Sequence, residues 1–431
     1  MSTTKKYDLE VCDHQAMMKS LFPLTNHSLY GTVEKFEDLE YLTPLKLSDY
    51  TNDNAFDEND TTLEICPTCF FNTSGTTNRS KRIPFSDADL MRQRMHEAIA
   101  LSKLGMREGH GVMSLGAPLP SISGWAIVNG SDALGATAIN TSQVDYDTIF
   151  DMHKEGDVNV VIGTPLVVKE IGLAIEQEYG SLKKVFPNME IAIIFGDVLP
   201  DNMRAFIKNL WGIDKVYSLY GTVEADVVAT ECPDQPGLMQ LMSERLYFEF
   251  ISEAEILKEK SIPGYQPKST PVDSVMNGDI GEIVISDFSR ESLPLLRYRI
   301  GDVIQVNRSP VDGMLQISVL GRSKNAAPVG DTYLYEMQLD RAIQKTFGER
   351  VVEWRLVEGE SSSHRYQLCL NLQPGLEIQT ADKNALCNYI ANSRSTLSVP
   401  DVVASIDFVQ VSNFGEVVAL GDAKAKRIVL A

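Results

Sequence analysis

From about residue 110 the chain alternates short, nearly unbroken apolar runs with longer stretches whose apolar residues recur every three or four positions. VNVVIGTP (158–165) and EIAIIFGD (190–197) read as buried strands, and KVYSLYG (215–221) as a third. Between them DNMRAFIKNLWGI (201–213) has helical period, with Met203, Phe206 and Leu210 on one stripe. Upstream, RIPF (82–85) reads as a short strand before a helix with Ser86 as N-cap and Asp89 in its first turn. Met91, Met95, Ala98 and Ile99 recur along that helix. Strand–helix–strand alternation predicts an α/β domain, a parallel sheet with helices on both faces, whose sites lie at the carboxyl ends of the strands.

The pattern changes over residues 238–320, where strand-like runs dominate: LYFEFI, GEIVISDF, VIQV and MLQISVL, separated by Pro, Gly, Asp and Asn. These predict a β-barrel-like or sheet region appended to the α/β core, with 257–277 as an exposed loop. A boundary is placed at Gly321–Arg322–Ser323. The last 110 residues read as α+β, with a stripe of Leu339, Ile343 and Phe347 ending at Gly348, and a strand at YQLCLNLQ (366–373). The expected organisation is a large domain over 1–321 and a small one over 322–431. The acidic stretch NDNAFDENDTTL (52–63) reads as a surface loop.

A chain of 431 residues exceeds one ordinary core, which agrees with two folding units. Its net charge of −20 repels phosphate backbones and anionic lipid, so neither nucleic acid nor a membrane is expected as a partner. A nucleotide would have to bind through backbone N–H groups, a few placed cations and Mg²⁺. The start MSTTKKYDLEVCDH has no apolar run after its lysines, so a cytoplasmic location is expected. Six scattered cysteines fit a reducing compartment. Cys66 and Cys69 form a lone CxxC without the other two ligands of a zinc site, so they read as thiols in a strand.

Four segments carry candidate chemistry. Thr73-Ser74-Gly75-Thr76-Thr77-Asn78-Arg79-Ser80-Lys81 can point several donors at one anion, but lacks the Gly-Lys-Ser/Thr ending of a Walker loop. Ser218 to Glu224 ends a buried strand with a tyrosine that could stack on a base and a carboxylate that could hold Mg²⁺. Arg297-Tyr298-Arg299-Ile300-Gly301-Asp302 places an aspartate beside a glycine turn, where it could accept bonds from ribose hydroxyls. Gly421 to Arg427 is a basic tail on an acidic chain. Taken singly, each also fits an ordinary polar loop, strand turn, hairpin end or solvated tail.

Taken in order, the four resemble the adenylate-forming superfamily of acyl- and aryl-CoA ligases, luciferases and adenylation domains, and within it the shorter phenylacetate-CoA ligase-like branch. The resemblance runs from about residue 70 to the end. It implies that Thr73, Ser74, Gly75, Thr76, Thr77 and Lys81 bind the β- and γ-phosphates, although Asn78 and Ser80 replace the family's Gly and Pro. It implies base stacking by Tyr220, with Gly221 and Thr222 beside it, and Mg²⁺ ligation by Glu224; Val223 replaces a hydroxyl residue. Asp302 is implied to bind ribose. Gly196 and Asp197 resemble the loop lining the adenine and acyl pocket. Arg322 falls in the family's Gly-Arg hinge, where Lys324 replaces the usual pivot aspartate. Lys424 is implied to bridge the substrate carboxylate and the α-phosphate. After the hinge the family's glycine for the pantetheine arm is displaced: Gly330 stands one place early, without the usual Asn and Pro.

The resemblance thus implies ATP-dependent activation of a carboxylic acid as acyl-AMP, then transfer to CoA from a small mobile lid domain. Transfer to a carrier-protein thiol or an amine is the alternative, and a nucleotide-binding protein without catalysis a further one. Trp125 and the apolar residues of 121–130 suit an aromatic or medium apolar acid, but Trp125 also fits a core residue. Adenylation needs no covalent nucleophile, because the carboxylate is already ionised. That agrees with six histidines, none of them in these segments.

Overall fold

The computed structural model describes residues 67–73, 82–141, 146–153, 158–310, 312–359, 364–411 and 427–429, together with the two-residue strand Leu45–Lys46. Within these, the strands Thr137–Asn140, Gly111–Ser114, Val158–Gly163, Ile191–Phe195 and Lys215–Thr222 lie side by side and parallel. Val160, Ile191, Ala192 and Ile193 have no exposed surface, as expected of strands covered on both faces. One face is covered by the Asp87–Lys103 and Ile122–Leu134 helices, the other by Pro165–Tyr179 and Asp201–Trp211.

The appended region is not a closed barrel. Asp226–Cys232 pairs antiparallel with Lys215–Thr222, and the sheet continues through Gln235–Leu241, Leu315–Arg322, Leu295–Arg308, Ile280–Asp287 and Tyr247–Ser252. The result is one open sheet of 13 strands among the described residues. The order ends at Thr270–Pro271 on one side and Thr137–Asn140 on the other, and these two strands do not pair, so the sheet does not close. The expected loop at 257–277 also differs. Glu253–Ser261 is a helix, because Ser252 caps it by accepting from the Glu255 N–H and acids fill its first turn.

Two helices follow their expected stripes only in part: Ala98, Leu210 and Met203 face the core, but other positions do not. Ser86 and Asp89 form the expected capping box, but Met91 and Met95 are 55% and 41% exposed. Gln93, His96 and Glu97 are buried instead. In Asp201–Trp211, Phe206 is exposed while Arg204 is buried. Arg204 holds both oxygens of Glu231, which also accepts from the Ser218 and Gly237 N–H groups. A buried polar group needs a partner, and Arg204 has one in Glu231.

His96 and Glu97 face a buried charge cluster. Arg245 donates to Asp226, Asp287 and the His96 Nδ1. Since the guanidinium can only donate, His96 Nδ1 accepts, and burial keeps the imidazole neutral. Burial, reinforced by Asp226, pushes the Glu97 carboxyl up to about 8.

A second sheet, Ile406–Val411, Tyr366–Leu372, Val351–Glu358 and Ile428–Val429, carries its own core with the Glu336–Phe347 and Thr380–Asn392 helices. Leu339, Ile343 and Phe347 are buried there as expected. No helix among the described residues is long and apolar enough to cross a membrane. Cys69 lies in the strand Cys69–Asn72, Cys66 lies outside the described residues, and no cluster of metal-ligating side chains occurs among those described.

Glu97 gives a stability test. Its folded pKa of about 8 lies above the ordinary value of 4.5, so between those values the unfolded chain holds fewer protons and stability falls as pH rises. Glu97→Gln, which removes that titration, is expected to raise Tm by more at pH 8 than at pH 5. Thermal unfolding at the two pH values checks this; an equal difference at both would contradict it.

Candidate functional site

The strand Lys215–Thr222 delivers Tyr220, Gly221 and Thr222 to the carboxyl end of the sheet. The chain then reverses over residues 223–225 into Asp226–Cys232. A Cβ on Gly221 would stand 2.7 Å from the Asp226 carbonyl, so the close approach of the two strands requires glycine there. The Thr222 hydroxyl accepts from the Ala225 N–H at 3.0 Å and braces the turn. Val223, where a hydroxyl was expected from the resemblance, packs against the apolar core instead.

Glu224 stands in this turn, 6% exposed. Its charge acts on Arg322 across the site, adding to the larger effect of Asp302 in raising that guanidinium's pKa. A buried carboxylate is costly unless a cation or donor meets it. Hard divalent cations take carboxylate oxygens, so the group fits a Mg²⁺ ligand.

Tyr220 and Asp302 meet across the sheet, the phenol donating to Oδ2 at 2.6 Å. Arg322 reaches the other oxygen, Nε to Oδ1 at 2.8 Å, and donates from its other arm to the Ile300 carbonyl. Asp302 and Arg322 are directly paired in register, which is why two residues twenty apart in sequence share one site. Burial and Asp302 raise the Tyr220 phenol well above its usual range, so it remains a donor. Gly301, at φ +85°, permits the bend that brings Asp302 to the tyrosine.

The arginines before Asp302 do something else. Arg297 is held by Glu249 and Ser269, and Arg299 by Glu282 and Glu259. They are internal struts of the antiparallel half. Gly196 takes φ +80° just past Ile191–Phe195, and Asp197 Oδ1 accepts from the Val198 N–H at 2.8 Å. Asp197 lies close enough to Glu336 of the second unit to help push that carboxyl up to about 7, after burial as the main cause. Thr73 follows the Cys69–Asn72 strand directly. Ser74, Gly75, Thr76, Thr77, Lys81 and Lys424 lie outside the described residues.

Trp125 is half-buried on the Ile122–Leu134 helix, 5.9 Å from Phe71, and Tyr220 and Val223 flank the same apolar cluster. Gly330 forms the turn between Ala327–Val329 and Thr332–Leu334 at φ +57°, so the hairpin itself demands this glycine. Arg290 was not singled out from the sequence. It is 1% exposed and donates to the Glu224 and Pro84 carbonyls. The sequence offered no signal for it, since it stands in the polar run SDFSRES (286–292).

Comparison with known proteins agrees with this geometry. The AMP-binding enzyme family matches residues 28–244, half of the chain, and the GH3 family central domain matches residues 239–313. A phenylacetate-coenzyme A ligase of Pseudomonas putida is 23% identical over 278 residues, 63% of this chain; the match spans 58% of that ligase. A crystal structure of an open conformation of 2-hydroxyisobutyryl-CoA ligase, in complex with 2-HIB-AMP and CoA, superposes with TM-score 0.65 at 15% identity, covering 98% of this chain and 88% of that one. ATP-bound MatB from Rhodopseudomonas palustris superposes with TM-score 0.56 at 16% identity, over 80% and 64%. A family match across half the chain, in the fold of these ligases, places the protein: it belongs to the AMP-binding enzymes of the adenylate-forming superfamily, in the phenylacetate-CoA ligase-like branch.

Proposed function

We propose that this chain uses ATP to activate an apolar carboxylic acid, aromatic or of medium size, as an acyl-adenylate, and passes the acyl group to the thiol of coenzyme A. The observation that carries this reading is the convergence of Tyr220, Asp302, Arg322 and the buried Glu224, whose charge acts on Arg322, at one end of the sheet. Two of the relatives named above are acid–CoA ligases by name, and Trp125 with Phe71 provides an apolar wall beside Tyr220 and Val223.

In the first step a carboxylate oxygen bonds to the α-phosphorus, and the bond from that phosphorus to the bridging oxygen breaks to release pyrophosphate. Two anions must meet, so catalysis is mainly charge neutralisation and positioning. Each oxygen of Asp302 keeps a lone pair beyond those used by Tyr220 and Arg322, so it can accept ribose hydroxyls without losing its supports. Tyr220 offers its ring to adenine. Glu224 would hold Mg²⁺, which when bound offsets phosphate charge. Thr73 to Thr77 with Lys81 hold the departing pyrophosphate, and Lys424 stabilises charge between the reacting oxygens. In the second step the CoA sulfur attacks the acyl carbonyl, the bond to AMP breaks, and the thiol proton passes to solvent.

We assign residues 1–321 to the adenylating domain and 322–431 to a lid that swings about Ser323–Lys324 between the steps. This structure holds the two together through Glu253, which accepts from Thr332, Tyr335 and Arg394. Those bonds would break in a swing.

Two measurements test these assignments. ATP–pyrophosphate exchange, run with phenylacetic, benzoic, 2-hydroxyisobutyric, fatty and amino acids, is expected to be stimulated by one apolar acid. Asp302→Asn should raise KM for ATP about tenfold, and Lys424→Ala should lower exchange about a hundredfold or more. No exchange with any acid would refute the adenylation reading. Separately, Lys324→Pro should slow CoA acylation from preformed adenylate more than adenylation itself. An equal loss of both steps would refute the swing, and transfer only to a carrier protein would refute CoA as acceptor.

A further inference from the structure

Residues 223–225 form a tight reversal with little backbone support of its own, yet Glu224 must be aimed from it. Beyond the strand pairing at Thr222 and Asp226, the Thr222 hydroxyl braces the Ala225 N–H. The Glu224 carbonyl is taken by Arg290, which comes from a segment 66 residues away. The other arm of the same guanidinium donates to the Pro84 carbonyl at 2.8 Å, and its face lies 4.2 Å from the centre of the Phe85 ring. Pro84 belongs to Arg82–Phe85, the strand that pairs with Cys69–Asn72; residues 73–81 connect the two.

From this arrangement we infer that Arg290 is a positioning residue for Glu224, fixing the backbone of the metal-binding carboxylate against the strand that follows the phosphate-binding segment. The inference rests on the adenylation reading above and deepens it. The segment carrying Arg290 is itself anchored: the Glu291 and Ser292 N–H groups donate to Asp89 at 2.9 and 3.0 Å. Asp89 in turn caps the Asp87–Lys103 helix. Burying a guanidinium is costly, and a hydrocarbon of similar volume would fill the space more cheaply. An arginine is required where two carbonyls in different segments must be held at a fixed separation, because its planar fork presents donors in set directions. Asp89 and Asp226 supply the negative field that tolerates its charge. Arg290 touches the turn, not the ligand, and acts through the direction in which Glu224 leaves the backbone. Groups that orient a metal ligand from behind usually change metal affinity about 10- to 100-fold when altered.

The test is Mn²⁺ binding, followed by electron paramagnetic resonance, to the full chain saturated with a non-hydrolysable ATP analogue. Arg290→Lys keeps the charge and loses the fork; Glu224→Gln is the reference. We expect Mn²⁺ to bind about tenfold more weakly to Arg290→Lys, with KM for the acid changed less than twofold. Full Mn²⁺ affinity in folded Arg290→Lys, with the expected loss in Glu224→Gln, would overturn the positioning role and leave the metal role of Glu224 standing. Full affinity in both would overturn the two together. A shift in Tm without a shift in Mn²⁺ affinity would mean that Arg290 serves the fold alone. If Arg290→Lys does not fold, Phe85→Leu loosens the guanidinium without removing it, and a smaller loss of Mn²⁺ affinity is expected; unchanged affinity there would overturn the inference.

Discussion

One guanidinium ties together distant strands of the antiparallel half of the large sheet. Arg245 lies between Gln235–Leu241 and Tyr247–Ser252 and binds both Asp226, the first residue of the strand leaving the candidate site, and Asp287, the last residue of Ile280–Asp287. Asp226 has φ +58°, a conformation that costs a non-glycine residue roughly 1–2 kcal/mol and persists only when its surroundings fix it. A buried ion pair with one partner removed typically costs about 3–5 kcal/mol. The Arg245 bond is therefore well able to hold that strained residue. Burial pushes the Asp287 carboxyl up, but Arg245 outweighs it and holds the group below its usual range, so the pair stays charged at neutral pH.

Once this clamp is set, the turn over 223–225 has little freedom, because Asp226 ends it and Thr222 begins it. The site is then assembled by strand register. Asp302 faces Arg322 because Leu295–Arg308 and Leu315–Arg322 pair that way, and Tyr220 reaches both across the sheet. On a chain with net charge −20, binding a triphosphate depends on such local arrangements. Arg204, Arg245, Arg297 and Arg299 are committed to internal ion pairs with Glu231, Asp226, Glu249 and Glu282, whereas the charge of Glu224 acts on Arg322 in the site.

The polar interior also explains where sequence patterns misled. The Met91–Met95 stripe has helical period, but the helix turns His96 and Glu97 inward, where His96 meets Arg245. In Asp201–Trp211 Met203 and Leu210 face the core as the stripe predicts, while Phe206 lies outside and Arg204 lies inside, paired with Glu231. Helical periodicity records which positions share a face, and the face chosen depends on partners distant in the chain. Gly330 illustrates the same limit, since a glycine read against a family motif is here the φ +57° residue of a hairpin.

The sequence alone determined the α/β alternation, the parallel strands around VNVVIGTP and EIAIIFGD, the separate apolar stripe of Leu339, Ile343 and Phe347, and the family itself through its short motifs. These are local properties: strand and helix periods, caps and turn glycines are set by neighbours in sequence. Only the tertiary structure decided that the appended strands continue one open sheet, that Tyr220 and Arg322 share Asp302, and that Arg290 grips the Glu224 backbone. Each of those joins residues 20 to 82 positions apart. Strand register and the pairing of buried charges select such partners, and neither leaves a periodic trace along the chain.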